Sequence, residues 1–296
     1  MKKLNKKIAK TVIRKAIGLP SKAELIALGL AACGTAIAVS EIEKNSPEYA
    51  EYKVDGAGKI TRPVRIVFLT DLHEKRFGDH NERLIEMIDE ADPDVILMGG
   101  DMINCKKSLD TEVTLELCRE LSKKYPIFYG NGNHEQRMDG MEHDAFVRKL
   151  ERMGITYLEN ETAQFGELDI TGLDIDKSMY APVKPEMLTV NQIWRRVGRF
   201  DENRFNILLA HSPLFTEAYE DSGADLVLCG HFHGGTIRLS ENVGLMTPQY
   251  QFFSNKVVGK KQIGNSSMII SSGLGTHSFN IRFNNRPQIV VVDIKK

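Results

Sequence analysis

Val64-Arg65-Ile66-Val67-Phe68-Leu69-Thr70-Asp71-Leu72-His73 is the stretch on which the reading of the fold turns. Val64 to Leu69 is β-prone and, Arg65 aside, apolar, the composition of a strand buried on both faces; it runs straight into a carboxylate and an imidazole two residues apart. Working outward, the same arrangement recurs. Asp94-Val95-Ile96-Leu97-Met98 leads into Gly99-Gly100-Asp101, and Ile127-Phe128-Tyr129 into Gly130-Asn131-Gly132-Asn133-His134-Glu135. Phe205 to Ala210 ends on His211, and Asp225 to Cys229 ends on Gly230-His231-Phe232-His233.

Amphipathic stretches separate the early strands: Asn81 to Glu90, Thr111 to Lys123 and Asp144 to Met153 carry helical spacing. Strand, helix and strand in succession imply crossover connections and a buried parallel sheet. Beyond Ile155 strands are denser, expected at Leu168 to Leu173, Thr236 to Leu239, Ser267 to Ser271 and Gln288 to Ile294, with helices at Val190 to Val197 and Leu214 to Asp221. No repeat or low-complexity tract interrupts residues 63–296, so the expectation is one α/β domain on two stacked sheets. In open α/β sheets ligands bind beyond the carboxyl ends of the strands, where every motif above falls.

An isolated Asp71 or His73 would ordinarily be a loop cap or a satisfied polar group. The force lies in order and spacing. Five of the eight histidines (His73, His134, His211, His231 and His233) sit just past apolar strands, and Asp101 follows Asp71 by thirty residues. Carboxylate and amide oxygens with neutral imidazoles form a borderline-hard donor set suited to Mn²⁺, Fe²⁺ or Zn²⁺.

The set Asp-x-His, Gly-Asp, Gly-Asn-His-Glu, a later His and Gly-His-x-His resembles the calcineurin-like metallophosphoesterases, over about Arg62 to Ile294. The tail, with Gly230-His231-Phe232-His233-Gly234-Gly235, Ser272-Gly273-Leu274-Gly275-Thr276 and Arg286-Pro287-Gln288-Ile289, resembles the bacterial membrane-associated branch, some members of which act on phosphodiesters or on the lipid-linked pyrophosphate UDP-2,3-diacylglucosamine. The resemblance implies a four-layer α-β-β-α sandwich of two mixed sheets flanked by helices, and a hydrolase of phosphoric esters that uses two divalent metal ions. It implies one ion on Asp71, His73, Asp101 and His233, and a second on Asp101, Asn133, His211 and His231, with Asp101 bridging. His134 would assist the leaving group rather than bind metal. Asn104 stands where purple acid phosphatases place a tyrosine, so a ferric tyrosinate is not expected. The competing reading is a catalytically weak metal-binding docking module of the same fold; the intact set of eight residues favours the enzyme.

Other residues have plainer explanations. His80, His143 and His277 match no motif and read as surface histidines. Lys75, Arg76 and Arg282 could reach a substrate phosphate but are ordinarily solvated charges. Glu135 is either a carboxylate orienting His134 or a simple loop residue. Trp194 reads as helix packing, and Cys229 as a small buried hydrophobe. Selectivity is expected from the loops Leu173 to Thr189 and Ser240 to Asn265, which carry no readable code.

Composition bounds the rest. The 296 residues are 42% hydrophobic and 27% charged with a formal net charge of −1. That average hides an asymmetry. Met1 to Lys22 holds eight basic residues and no acid, which leaves 31 basic and 40 acidic residues, a balance of −9, for the remainder. The body therefore shows no global attraction for nucleic acid. Four scattered cysteines make no disulfide framework.

Leu25 to Ser40 is free of charge, so the leader reads as a basic segment at 1–22 and a hydrophobic membrane anchor or signal segment at 23–40, followed by a linker at 41–62 with an edge strand at Tyr52 to Val54. Sixteen helical residues reach about 24 Å, short of a hydrocarbon core of roughly 30 Å. By the positive-inside rule the basic end stays cytoplasmic and the catalytic domain is extracytoplasmic. The alternatives are cleavage at Ala36-Ile37-Ala38, lipidation at Cys33 within Leu30-Ala31-Ala32-Cys33, and an inner-leaflet amphipathic helix through Ile8, Val12, Ile13 and Ile17. The expected partners are the phosphoester substrate, with a lipid head group as one form of it, and the membrane.

Overall fold

A computed structural model describes residues 20–105, 110–276 and 280–296. The segment Met1 to Leu19, with the face Ile8, Val12, Ile13 and Ile17, and His277 lie outside the described residues. The chain divides into two units, Met1–Ile42 and Glu43–Lys296. In the first, helix α1 (Lys22–Lys44, its last two residues in the second unit) is, from Ala23, long and apolar enough to cross a membrane. Twenty-two helical residues reach about 33 Å. The charge-free run at 25–40 is therefore extended by a turn that ends in Glu41, Glu43 and Lys44.

In the second unit, the strand Val64–Leu69 shows how the layers are built. Side chains alternate across a strand, so Ile66 and Phe68 face one way and Val67 and Leu69 the other. Both pairs are fully buried. Ile66 and Phe68 join a core with Leu168, Ile170, Phe205, Ile207, Leu226 and Leu228, between two sheets. Val67 and Leu69 join a second core with the helices outside the first sheet. Two-sided burial is why these strands read as continuous apolar runs instead of alternating ones.

The first sheet has the order β1 (Glu48–Asp55), β14 (Gln288–Lys295), β2 (Val64–Leu69), β3 (Val95–Met98), β4 (Ile127–Gly130), β5 (Thr156–Leu158). Strands β2 to β5 are parallel; β14 runs antiparallel to β2, and β1 parallel to β14. The second sheet has the order β12 (Gly259–Ile263), β13 (Ser266–Ile270), β9 (Leu226–Cys229), β8 (Phe205–Ala210), β7 (Leu168–Leu173), β6 (Thr162–Phe165), parallel except at its two edges. A separate hairpin pairs β10 (Gly244–Met246) with β11 (Phe252–Ser254).

Helices α2 (Glu82–Ala91), α3 (Glu112–Leu121) and α4 (Gly140–Arg152) cover the outer face of the first sheet. Helices α5 (Val190–Val197) and α6 (Thr216–Ser222) cover that of the second, packing against Leu208, Ala210, Val227 and Cys229. The result is the expected layering of helix, sheet, sheet and helix.

Three elements depart from expectation. The edge strand anticipated at Tyr52–Val54 spans Glu48–Asp55, within the stretch read as a linker, because every residue of it pairs with β14. Helix α4 begins at Gly140, four residues early, since the Asp139 carboxylate caps it by accepting from the Glu142 N–H at 2.9 Å. Thr236–Leu239 is not a strand. Gly234, Gly235 and Thr236 all have positive φ, and the chain beyond makes only single bridges to Phe283 and Gly244.

Candidate metal centre

Asp71 and His73 follow β2, Asp101 follows β3, Asn133 and His134 follow β4, His211 follows β8, and His231 and His233 follow β9. Both sheets thus deliver side chains from the carboxyl ends of parallel strands. All eight residues are buried.

The backbone here is bent hard. Asp71, His73, Asp101, His231 and His233 have φ of 54°, 48°, 51°, 67° and 47°. The left-handed region costs a residue with a side chain roughly 1–2 kcal/mol, and it persists only where the surroundings over-determine it. Glycines supply part of that constraint. A side chain on Gly132 would collide with the Asp101 carboxylate, and one on Gly230 with the Asp71 carboxylate and Thr70. The loops therefore stack backbone against carboxylate. The Gly100 carbonyl accepts from the Asp71 N–H at 3.0 Å, and the Asp101 carbonyl from the His73 N–H at 3.1 Å.

Glu135 ties the loops together. Its buried carboxylate accepts from the N–H groups of Asp101 (2.8 Å), Met102 (2.9 Å) and Gly132 (3.0 Å) and from the Tyr129 hydroxyl (2.7 Å). It is a clamp between the strand ends of β3 and β4, a role the sequence left open.

Three groups of donor atoms each fall within 4.8 Å of one another: Asp71, His73 and His233; His73, Asp101 and His134; Asp101, His211 and His231. His73 Nε2 and His233 Nε2 are 3.2 Å apart and lie 3.9 and 3.4 Å from Asp71 Oδ1. The His211 Nδ1–H donates to the Gly99 carbonyl at 2.8 Å, which turns Nε2 toward Asp101 Oδ2 at 3.2 Å and Asp71 Oδ1 at 3.8 Å. Asp101 Oδ2, His211 Nε2 and Asn133 Oδ1 are buried without a hydrogen-bond partner. Buried polar atoms are nearly always bonded. Orphaned oxygens and an imidazole nitrogen turned toward the carboxylates therefore fit divalent metal, and they are the atom types such an ion takes.

Electrostatics agree. Burial pushes Asp71 up to about 7, with the Asp101 charge adding to the rise and His211 opposing it. Burial acts to raise Asp101 as well, but the imidazoles of His211, His134 and His73 hold it well below the usual carboxylate range. Burial works against a charged His211, yet Asp101 overrides it and lifts the ring to about 10. Two desolvated carboxylates here demand positive charge.

His134 is set apart by its bonding. Its Nδ1 accepts from the Cys105 N–H at 3.0 Å, and its Nε2 lies 3.4 Å from the Arg137 guanidinium. Its own N–H donates to Asp101 Oδ1 at 2.7 Å.

Two residues that the sequence did not flag complete the surroundings. Gln249, buried between β10 and β11, puts its amide against His231 Nε2. The Tyr180 ring lies 5.2 Å from that of His231 and 6.2 Å from that of His211. Each comes from one of the two long loops in which selectivity was expected. Gln and Tyr inside such loops are too common to stand out, so no local signal marks them.

The discounted residues are accounted for. Arg282 is 1% exposed and donates to the carbonyls of Ser272, Gly273, Gly275, Asn285 and Arg286, so it braces the loop beside Asp71. Burial lowers it to about 9 against the opposing charge of Asp71, and it remains a cation at neutral pH. Arg76 and His80 both bind Glu116, and Lys75 binds Asn45. His143 meets the Tyr157 hydroxyl, Trp194 donates to the Ser222 carbonyl on α6, and Cys229 is buried.

A family pattern described as calcineurin-like phosphoesterase matches residues 64–235, the span from the start of β2 to just past His233. The chain belongs to that family. It is accordingly a metal-dependent phosphoester hydrolase. Among curated relatives, it is 27% identical over 240 residues to Phosphodiesterase YaeI of Escherichia coli, an alignment covering 78% of this chain and 82% of the relative. It is 29% identical to metallophosphoesterase Cj0846 of Campylobacter jejuni, over 80% of this chain and 60% of the relative. It is 24% identical to metallophosphoesterase YkoQ of Bacillus subtilis, over 77% and 82% respectively.

Proposed function

We propose that this phosphoesterase is a two-metal phosphodiesterase working at a membrane surface. Asp71, His73, Asp101 and His233 would hold one divalent ion, and Asp101, Asn133, His211 and His231 the other, with Asp101 shared. The observation that carries this is the trio of orphaned buried donors, Asp101 Oδ2, His211 Nε2 and Asn133 Oδ1, beside a second cluster on Asp71. Ions held there would supply a more acidic water and positive charge against the phosphate oxygens.

The chain's own residues do the rest. Gly99 holds His211 in the tautomer that presents Nε2. The Asp71 carboxylate accepts from the His231 N–H at 3.0 Å, which fixes where that imidazole starts. His134, beside the Arg137 guanidinium, would protonate the departing oxygen. Gln249 and Tyr180 border the imidazoles of the second cluster and would orient the ester.

A phosphodiester or lipid-linked pyrophosphate is the proposed substrate. The name of the Escherichia coli relative supports a diester, and α1 supports a substrate at the bilayer. We read α1 as an uncleaved anchor, its basic end cytoplasmic and the body outside; the helix runs unbroken through both candidate processing sites.

The test is chelation followed by titration with Mn²⁺. Hydrolysis of a nitrophenyl phosphodiester should disappear with the metal and return at two equivalents per chain, faster than on the monoester. Full recovery at one equivalent would refute the paired site. Protease digestion of the body in intact cells would support its external location, and protection would reject it.

A further inference from the structure

Nine large hydrophobic side chains are exposed among the described residues of the Glu43–Lys296 unit, and six of them (Leu239, Tyr250, Phe252, Phe253, Ile281 and Phe283) come from three adjoining segments. Backbone bonds join these segments. The Arg238 N–H donates to the Phe283 carbonyl at 3.0 Å, the Leu245 N–H to the Ile237 carbonyl at 2.8 Å, and Met246 pairs with Phe252 across the β10–β11 hairpin. Exposed aromatics concentrated in one place mark an interaction surface.

Two observations identify what lies against it. The first is connectivity. Within this unit, the Glu43 carboxylate accepts from the Asn285 N–H at 3.0 Å and Lys44 Nζ donates to the Asn280 carbonyl at 3.1 Å, on either side of Ile281 and Phe283. The apolar segment of α1 is covalently continuous with these two residues. The patch therefore begins within a few residues of the point where an embedded helix leaves the membrane. The second is charge. Ile237 to Val292, the stretch that holds all three segments, has six basic residues (Arg238, Lys256, Lys260, Lys261, Arg282 and Arg286) and one acid, Glu241, in a chain whose balance beyond Lys22 is −9. Lys256, Lys260 and Arg286 are exposed. Exposed aromatics beside lysine and arginine are the composition of an interfacial, anionic-lipid-binding surface.

We propose that this face rests on the lipid bilayer, its aromatic side chains among the head groups and its lysines against anionic lipid. The inference depends on the reading of α1 as membrane-embedded. The same hairpin also borders the metal centre, because Gln249 at its turn has its amide against His231 Nε2.

The test uses the full chain in nanodiscs of phosphatidylethanolamine and phosphatidylglycerol, with brominated or unmodified acyl chains. Three single variants are compared with the parent, whose Trp194 supplies the background: L30W in α1, F253W in the patch and M187W at an exposed apolar position elsewhere. An aromatic group roughly 5–10 Å into the interface lies within reach of the acyl chains, so its emission should fall when those chains carry bromine. Quenching of L30W and F253W with M187W unchanged supports the proposal. Quenching of L30W alone overturns it, because the body then stands clear of the bilayer. Equal quenching of F253W and M187W also overturns it, as adsorption without a preferred face. If L30W is itself unquenched, the membrane reading of α1 fails and the proposal falls with it.

Discussion

At the scale of single residues, Asp174 offers a clean titration. It follows β7, is 8% exposed, and accepts from Asn131 Nδ2 at 2.7 Å through one oxygen, while the other has no hydrogen bond. Burial raises it to about 6, with the amides of Asn131 and Gln136 pulling the other way. Its unfolded carboxyl titrates near the usual value, so the folded state binds the proton more tightly. The associated stability is complete below about pH 4 and lost as pH rises through 6. Asp174→Asn keeps an oxygen for Asn131 and removes the charge. Denaturant unfolding should show the variant about 3 kcal/mol more stable than the parent at pH 8 and no different at pH 3.5. His134→Ala tests the proton donor. Turnover should fall by about 10²- to 10⁴-fold with metal content unchanged, and loss of metal from the variant would refute that role. The clustering of these residues was legible in the sequence because few side chain types bind metal and each follows an apolar strand. Gln249 and Tyr180 were not, since what makes them neighbours of His231 is the path of long loops.

Among elements, the loops after β3 and β4 depend on one carboxylate. Glu135→Gln leaves a single acceptor for four donors and turns an NH₂ group toward backbone N–H groups. Unsatisfied buried donors cost about 1–3 kcal/mol each, so the midpoint of denaturant unfolding should drop and metal affinity with it. An unchanged midpoint would show that the loops hold themselves. Strands buried on both faces, β2, β3, β8 and β9, were legible because, apart from Arg65 and Asn206 at second positions, they are continuous apolar runs. Strand β12 reads Gly-Lys-Lys-Gln-Ile and is a strand only because β13 pairs with it. Its own composition carries no such signal, whereas Thr236–Leu239 has the composition without the partner.

For the whole molecule, β1 is the decisive margin. All eight of its residues pair with β14. A chain starting at Glu43 retains this edge, and one starting at Pro63 exposes β14, whose residues Gln288–Val292 are buried. The first should purify as a cooperatively melting species; the second should aggregate, as bare apolar edges do. Size-exclusion profiles of the two would decide it. The position of β14 has a temporal consequence. Strand β14 lies between β1 and β2, from which it is far removed along the chain, so the sheet that carries Asp71, Asp101 and Asn133 stays open until Gln288–Lys295 has been made. Pairings so distant along the chain form late. Strands β1 and β2 thus wait for their common partner while every other strand of both sheets is made.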